Sequence, residues 1–352
     1  MRPYDIFRAL KIDKQAKRLQ EGTLAFLCHI KGQIYRSRLH LTPLSAGERP
    51  IRVLIVANMG GIGNCVESTP VATAVRMAHP TAHITFMASK GDLFDNWHIP
   101  DLLVKDKQPP AEMKFDYTLV PHWGAAIHPS WIYEKRCGKV VAHKVAFNKW
   151  FFRSERRYNM DVARRLGYSG LTPPEYVSIK PTHLIPAGEK LIAIMPCAND
   201  SEFWARKRWA HFPALIKLIT AQLPDYKILI VGTDKDELAG DYPKDNLLDL
   251  RGRLTLAETA YALKQCRLAV GNDCGPAHIA DAAGTYTIWL FGMSCIVKNH
   301  PQNKYRIFHA SPACSPCEHD SMFGDWPRGC NCVSEVSAET VFAEIKRFIK
   351  AD

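Results

Sequence analysis

Short apolar runs alternate with amphipathic stretches along most of the chain. The first series has apolar runs at 51–58, 82–89, 115–122 and 138–147, with an amphipathic stretch over 66–80. Apolar runs of this length predict buried strands, and a stretch with a period near 3.6 predicts a helix. Strands and helices in alternation are typical of a parallel sheet that is covered by helices on both faces.

A second series follows a proline-rich segment over 173–186. It predicts the strands 190–197, 226–233, 267–273 and 286–291 and the helices 211–223 and 255–266. The chain closes with a helical stretch over 337–350 that has one apolar face, and Ser337 is suited to cap it. Two βα series predict an α/β protein with two domains and a cleft between them. Ligands in such folds bind at the carboxyl ends of the strands.

We therefore predict four parts of the chain. Residues 1–50 form a basic helical extension and linker, and residues 51–180 form the first domain. Residues 187–335 form the second domain, which includes a cysteine-rich loop over 314–332, and residues 336–352 form the C-terminal helix.

Charge is unevenly distributed and points to an anionic partner. The formal net charge is +11, and the first 50 residues hold ten Lys and Arg against four Asp and Glu. Nucleotide phosphates, acidic lipid and nucleic acid are candidate partners, and a solvated basic face is the alternative. We exclude nucleic acid because no base-reading motif is present. No apolar run reaches the roughly 20 residues that span a bilayer, so we expect a cytoplasmic protein.

The segment GNDCGPAHIADA, residues 271–282, predicts a strand that turns directly into a helix. Pro276 suits the first helical position, the free amides at the helix start would face the cleft, and Gly275 would let an oxygen approach the backbone closely. A helix N-terminus of this kind binds phosphate, while Asp273 could accept hydrogen bonds from sugar hydroxyls. His278 lies one turn into the same helix. The alternative is that Asp273 merely caps an ordinary helix.

Three further segments carry candidate binding residues. MGGIGN at 59–64 follows the first strand and places Gly61 and Gly63 where a ligand could approach backbone amides, but it matches neither a dinucleotide fingerprint nor a P-loop. FWARKRWAHFP at 203–213 contains Lys207, a point charge suited to a diphosphate. VGTDKDE at 231–237 ends a strand with acids that suit ribose hydroxyls.

These segments together resemble glycosyltransferase family 9, the ADP-heptose heptosyltransferases. The resemblance covers roughly residues 51–350 and is carried by RVLIVANMGGIGNCVESTP (52–70), KRW (207–209) and the stretch 252–292. It implies the GT-B architecture, in which two Rossmann-like domains with parallel sheets face a central cleft. It also implies inverting transfer of heptose from ADP-heptose to a lipopolysaccharide inner-core acceptor, without a metal in the chemistry. The first domain would then bind the acceptor and the second the nucleotide sugar.

The resemblance also assigns roles to individual residues. It implies that Asp273 holds the sugar, that the amides of Cys274 and Gly275 hold the diphosphate, and that Lys207 neutralises the leaving ADP. Asp236 matches the ribose-binding acid, with Glu237 as the alternative, and Leu254 would lie against the adenine. The family acts at the cytoplasmic face of the inner membrane, so the basic N-terminal residues would contact anionic lipid there as a peripheral membrane segment.

One departure concerns the catalytic base. Asn64 stands where the family has the Asp that deprotonates the acceptor, and a neutral amide has no useful basicity. Glu67 could replace it if the helix starts at Asn64, although Asn64 and Glu67 would also form a capping box. Another carboxylate could serve instead, or the chain could bind a nucleotide sugar without turnover. Another nucleotide sugar or a protein acceptor is a further alternative. Cys274 for Thr, and Met195-Pro196-Cys197 for His-Pro-Gly, are smaller departures.

The cysteine-rich loop is the remaining candidate site. Cys314 and Cys317 are separated by two residues, and Cys330 and Cys332 by one, which suits a tetrahedral structural Zn or Fe site. Reduced thiols and disulfides are the alternatives, and His319 is a substitute ligand. Such a metal would staple the loop rather than take part in chemistry.

Overall fold

The computed structural model describes residues 49–57, 60–121, 130–142, 154–199, 201–310, 315–317 and 331–351. The predicted extension over 1–50 therefore lies outside the described residues, apart from its last two. Within the described part, no helix is both long enough and apolar enough to cross a bilayer.

The first half of the described chain builds a parallel sheet. Its strands are β1 (Arg52–Val56), β2 (His83–Met87), β3 (Leu102–Val104), β4 (Tyr117–Val120) and β5 (Lys139–Ala142). They lie in the order β3-β2-β1-β4-β5, and every neighbouring pair is parallel. The helices of this half are α1 (Ile62–Val66), α2 (Thr69–Ala78) and α3 (Glu155–Arg164), and two short 3-10 turns occupy Ser130–Tyr133 and Lys135–Cys137. We call this half the first lobe.

The second half builds another parallel sheet, in the order β11-β10-β9-β6-β7-β8. Its strands are β6 (Lys190–Met195), β7 (Tyr226–Ile230), β8 (Leu247–Asp249), β9 (Leu268–Asn272), β10 (Thr287–Phe291) and β11 (Tyr305–His309). Its helices are α4 (Glu202–Ala205), α5 (Phe212–Gln222), α6 (Leu256–Lys264), α7 (Gly275–Ala282) and α8 (Ala338–Lys350), with a 3-10 turn at Cys332–Glu335. We call this half the second lobe.

The stretch 66–80, predicted as one helix, contains the whole of α2 and only the last residue of a separate helix, α1. α1 starts earlier than predicted, at Ile62, and ends at Val66, with Glu67 as its C-cap. α2 begins afresh at Thr69 with Pro70 in its first turn. Proline lacks an amide proton and suits a helix start rather than an interior, so the chain breaks the helix here. The break places Glu67 at the junction.

The capping predicted for the C-terminal helix is confirmed. The Ser337 side chain accepts a hydrogen bond from the amide of Thr340 at the start of α8. The apolar face of α8, with Val341, Phe342 and Ile345, packs into the core of the second lobe.

The largest apolar core runs through both lobes. Val53, Ile55 and Phe86 of the first sheet belong to the same buried cluster as Ala193 and Trp289 of the second. The segment after α3 bridges the lobes, since the Ser178 amide donates to Leu93 in one lobe and the Lys180 amide to Ala257 in the other. The two sheets therefore form a continuous packed body around the cleft.

Candidate active site

A cavity of about 940 Å³ lies between the carboxyl ends of the two sheets. The loop after β1 contributes Gly61 and Gly63 to its wall, and the turn after β9 contributes Asp273, Cys274 and Gly275. Both turns lead into helices, α1 and α7, whose first residues face the cavity. Other predicted binding residues line the same cavity: Asn64, Glu67, Lys207, Asp236, Leu254 and His278.

The two strand-to-helix turns touch at the base of the cavity. A Cβ atom on Gly63 would lie 2.5 Å from Cδ2 of His278, and one on Gly275 would lie 3.0 Å from Cβ of Ile62. These glycines are therefore needed for close packing of α1 against α7. The His278 ring is also held edge-on against Trp289, with ring centroids 5.1 Å apart.

Asp273 is the centre of a buried charge cluster. Its Oδ2 accepts hydrogen bonds from Nζ of Lys207 at 2.6 Å and Nδ2 of Asn299 at 2.8 Å. Its Oδ1 lies 3.7 Å from Nε2 of His278. Burial alone would raise the pKa of Asp273, but Lys207 and His278 hold it well below the usual range. Burial would lower the pKa of His278, but Asp273 and Glu67 raise it to about 9. Asp273 is therefore ionised and orients two cations at the cavity wall.

Glu67 is a buried carboxyl group at the cavity wall with spare hydrogen-bonding capacity. Its side chain is 1% exposed, and its Oε1 has no hydrogen-bond partner. Burial raises the pKa of Glu67 to about 8, against the opposing effects of His278 and Arg156. Its backbone carbonyl accepts a hydrogen bond from Nδ2 of Asn159, which fixes the residue to α3. Such a carboxyl is poised to exchange a proton near neutral pH.

Asn64 stabilises residues 60–63 after β1, which we call the glycine loop. Its Oδ1 accepts a hydrogen bond from the amide of Gly61 at 3.0 Å. Because α1 begins at Ile62, Asn64 lies in the first turn and is not the N-cap, so the capping box predicted between Asn64 and Glu67 is wrong. The Glu67 side chain is therefore not used for capping, and it lines the cavity.

The acidic residues predicted to bind ribose differ in position and in how many of their carboxylate hydrogen bonds are already made within the protein. Oδ2 of Asp236 accepts from both the amide and the hydroxyl of Thr233, at 2.8 and 2.9 Å, and its Oδ1 accepts from the amide of Ala198. Its hydrogen-bonding capacity is thus largely used to hold the loop after β7 and to join it to the segment after β6. Glu237 is exposed and does not line the cavity, whereas Asp234 does. Leu254 lines the cavity close to Leu256, an apolar surface suited to a base.

Several cavity residues were not predicted from the sequence. Lys90 donates to the carbonyl of Gly60 at 3.1 Å, and Trp204 lies 4.6 Å from Nζ of Lys207, measured to its ring centroid. Lys298 and Asn299 follow β10 and also line the cavity. Lys90, Lys298 and Asn299 come after predicted strands, and residues in that position often line a binding site. No motif distinguishes these three from other residues that follow strands.

The cysteine-rich loop is only partly covered. Cys314 and Cys330 lie outside the described residues, as does His319. Cys317 and Cys332 are buried, and Sγ of Cys317 lies 3.5 Å from Nη2 of Arg206. Over the described ranges, no three His, Cys, Asp or Glu side chains converge as a metal site.

Comparison with solved structures defines the class of fold. A glycosyltransferase family 9 protein from Veillonella parvula is 18% identical, with 86% of this chain and 98% of that chain covered at a TM-score of 0.66. The ADP-heptose LPS heptosyltransferase II of E. coli is 17% identical over 86% and 99% of the two chains, at a TM-score of 0.61. The fold is that of the GT-B glycosyltransferases, as predicted.

The family follows from sequence comparison. The family model described as glycosyltransferase family 9 (heptosyltransferase) matches residues 148–324, half of the chain. A lipooligosaccharide heptosyltransferase 2 of Campylobacter jejuni is 26% identical in an alignment of 170 positions that covers 46% of this chain and 52% of that protein. The match thus spans about half the length of this relative. The chain belongs to glycosyltransferase family 9.

Proposed function

We propose that this chain is an inverting heptosyltransferase that transfers heptose from ADP-heptose to a lipopolysaccharide inner-core acceptor. The observation that carries the proposal is the shared cavity, in which the glycine loop of one lobe faces the Asp273–Gly275 turn and Lys207 of the other. The second lobe would bind the diphosphate of the donor through the α7 amides and Lys207. The loop after β1 in the first lobe faces them, which leaves room between the lobes for an acceptor to receive the sugar.

The donor would lie along the second lobe. The amides at the start of α7 and the Lys207 ammonium group would hold the diphosphate. Asp234 or Asp236 would contact the ribose, and Leu254 would lie beneath the adenine. Lys298 supplies a further positive side chain at the cavity wall.

Glu67 would act as the base. In the transfer step, the acceptor oxygen bonds to the anomeric carbon of heptose while the bond from that carbon to the β-phosphate oxygen breaks. Glu67 takes the acceptor hydroxyl proton, and the leaving ADP keeps the bonding pair, its charge offset by Lys207. The orphaned Oε1 of Glu67, buried at the cavity wall, supports this assignment.

A non-catalytic nucleotide-sugar-binding protein is the second candidate, because Asn64 stands where the family has its base. The two candidates share the donor site and differ only in turnover. A protein acceptor or another nucleotide sugar would share the chemistry and differ in the molecules bound.

Titration and a product assay together separate these candidates. We expect ADP-heptose to bind more tightly than UDP- or GDP-sugars in isothermal titration, and heptose to be added to truncated core acceptors. Binding without product on any core or protein acceptor would favour the non-catalytic alternative. Tighter binding of another nucleotide sugar would overturn the donor assignment.

We also propose that the basic residues among 1–50 hold the protein peripherally at an anionic membrane surface, at the cytoplasmic face where the acceptor is made. Lys11, Lys14, Lys17 and Arg18 are four of the ten basic residues there. Sedimentation with vesicles of anionic lipid should recover the full chain, and replacing these four residues by Gln should release it. Equal recovery with neutral vesicles would contradict an electrostatic contact.

A structural metal at Cys314, Cys317, Cys330 and Cys332 is the last part of the proposal. In the described part of the loop Cys317 and Cys332 are both buried, and Nη2 of Arg206 donates to Sγ of Cys317. The structurally similar TibC of enterotoxigenic E. coli is an iron-containing dodecameric glycosyltransferase, 16% identical at a TM-score of 0.63. Elemental analysis of purified protein should find about one Zn or Fe per chain, lost in a Cys314→Ser, Cys330→Ser variant.

A further inference from the structure

Two cysteines line the part of the cavity assigned to the diphosphate. Cys197 follows β6 and Cys274 follows β9, and these strands are neighbours in which Met195 pairs with Gly271. Paired residues of adjacent strands lie about 4.8 Å apart, so the positions just beyond them are close as well. Both cysteines line the cavity, and neither is in a disulfide.

The two thiols lie at the ends of neighbouring strands and interact across the cavity wall. The hydrogen bond with Cys274, followed by burial, holds the pKa of the Cys197 thiol well above its ordinary value. Two hydrogen bonds hold Cys197 in place. Its Sγ donates to the carbonyl of Val231, and its backbone carbonyl accepts from Nδ2 of Asn272. Cys274 is half-buried and is the N-cap of α7. One thiol is thus reachable from the cavity, and the other is held behind it.

We propose that Cys197 and Cys274 form a dithiol site that small disulfides oxidise to a Cys197–Cys274 bond, and that this bond blocks the nucleotide diphosphate. Cys274 attacks a low-molecular-weight disulfide such as glutathione disulfide, forming a mixed disulfide and releasing one thiol. Cys197 then displaces the second thiol. Overall, two protein thiols and one disulfide give one protein disulfide and two small thiols, so hydrogen and electrons balance.

The effect on binding follows from where Cys274 lies. A disulfide requires a sulfur–sulfur distance of about 2.05 Å, much shorter than a thiol–thiol contact. Closing that gap draws the N-cap of α7 toward β6 and displaces the amides of Cys274 and Gly275. This second half rests on the proposed function, which places the diphosphate on those amides. The dithiol itself does not depend on it.

The first test is chemical and independent of any nucleotide. The intact folded chain is treated with glutathione disulfide, and its mass should fall by two hydrogen atoms without a persistent glutathione adduct. Trypsin gives peptides 191–206 and 268–298, and the second also contains Cys295, so chymotrypsin is added to cut after Trp289 or Phe291. A cross-link between 197 and 274 supports the site. A link to Cys295, or no link in the folded chain, overturns it.

The second test measures ADP binding by the oxidised and reduced chains. Oxidation should weaken binding about tenfold or more, dithiothreitol should restore it, and bound ADP should slow the oxidation. A Cys197→Ser variant should keep a glutathione adduct on Cys274, because the resolving thiol is missing, whereas a Cys274→Ser variant should lose the sensitivity to oxidation, each form being compared with its own reduced state. Cys137→Ser, which removes a buried thiol of the first lobe, should keep the sensitivity.

These outcomes separate the two proposals. A cross-link with unchanged ADP affinity would keep the dithiol site and overturn its blocking role. Failure of the reduced chain to bind ADP would instead count against the proposed function, and the mass measurement would still decide on the dithiol. Thermal unfolding of each reduced variant shows whether it is folded.

Discussion

Glu67 carries the proposed proton transfer, and removing its charge tests that role. We expect Glu67→Gln to lower kcat by about 10² to 10⁴ while the KM for ADP-heptose changes little, since general-base catalysis contributes to the transition state rather than to donor binding. Steady-state kinetics with both substrates measure the two constants. Full activity of Glu67→Gln would remove the base assignment.

Asn64 provides the matched control at the same site. Asn64→Asp keeps an oxygen that accepts from the Gly61 amide, so the loop should hold its shape. The added carboxylate should restore part of the activity lost in Glu67→Gln. A double variant as inactive as the single one would show that this position no longer faces the acceptor.

The pH profile is a second prediction at the residue scale. Burial raises the pKa of Glu67 to about 8, so at lower pH most molecules carry a protonated carboxyl that cannot act as a base. We expect kcat/KM to rise about tenfold per pH unit below pH 8 and to level off above it. In the double variant the rise should move to lower pH, where a less buried aspartate ionises. A profile that is flat between pH 6 and 8 would contradict this role for Glu67.

At the scale of elements, the contact between α1 and α7 depends on Gly63. A Cβ there would meet the His278 ring at 2.5 Å, whereas one on Gly61 would only reach Oδ1 of Asn64 at 3.7 Å. Gly63→Ala should therefore lower the free energy of unfolding by about 1–3 kcal/mol through overpacking. Gly61→Ala should stay within about 0.5 kcal/mol of the parent chain. Urea unfolding measures both, and equal losses would contradict the packing argument.

The elements also show how far the sequence could predict this protein. Runs such as 190–197 and 226–233 predicted buried strands because parallel strands are apolar on both faces, whereas the short strands β3 and β8 carry no such run. Motifs placed Gly63, Lys207 and Asp273 in one cavity. They could not show that the Asp236 carboxylate is used by its own loop and by the Ala198 amide after β6, or that Cys197 and Cys274 interact, because those contacts depend on how neighbouring strands are paired.

At the scale of the whole molecule, the shared core couples the lobes. The largest buried cluster contains side chains of both sheets, and the cavity is lined by both. A ligand that binds only the folded form stabilises the cooperative unit that contains its binding site. At a ligand concentration of 100 Kd the gain in free energy of unfolding is about 2.7 kcal/mol. We therefore expect calorimetry to record one unfolding transition that ADP-heptose shifts as a unit. Two transitions of which only one moves would mean that the lobes unfold independently.

The ligand-induced shift should depend on Lys207 and not on lysine content in general. Lys207→Ala removes the cation that pairs with Asp273 at the cavity wall. The rise in unfolding temperature on adding ADP-heptose should therefore be smaller than in the parent chain, whatever the unfolding temperature of the variant alone. Lys217→Ala removes an exposed lysine that is paired loosely with Asp241 at 3.8 Å, and it should leave the shift intact. Because each variant is compared with itself with and without ADP-heptose, the difference reports binding rather than stability. An undiminished shift in Lys207→Ala would place the diphosphate elsewhere in the cleft.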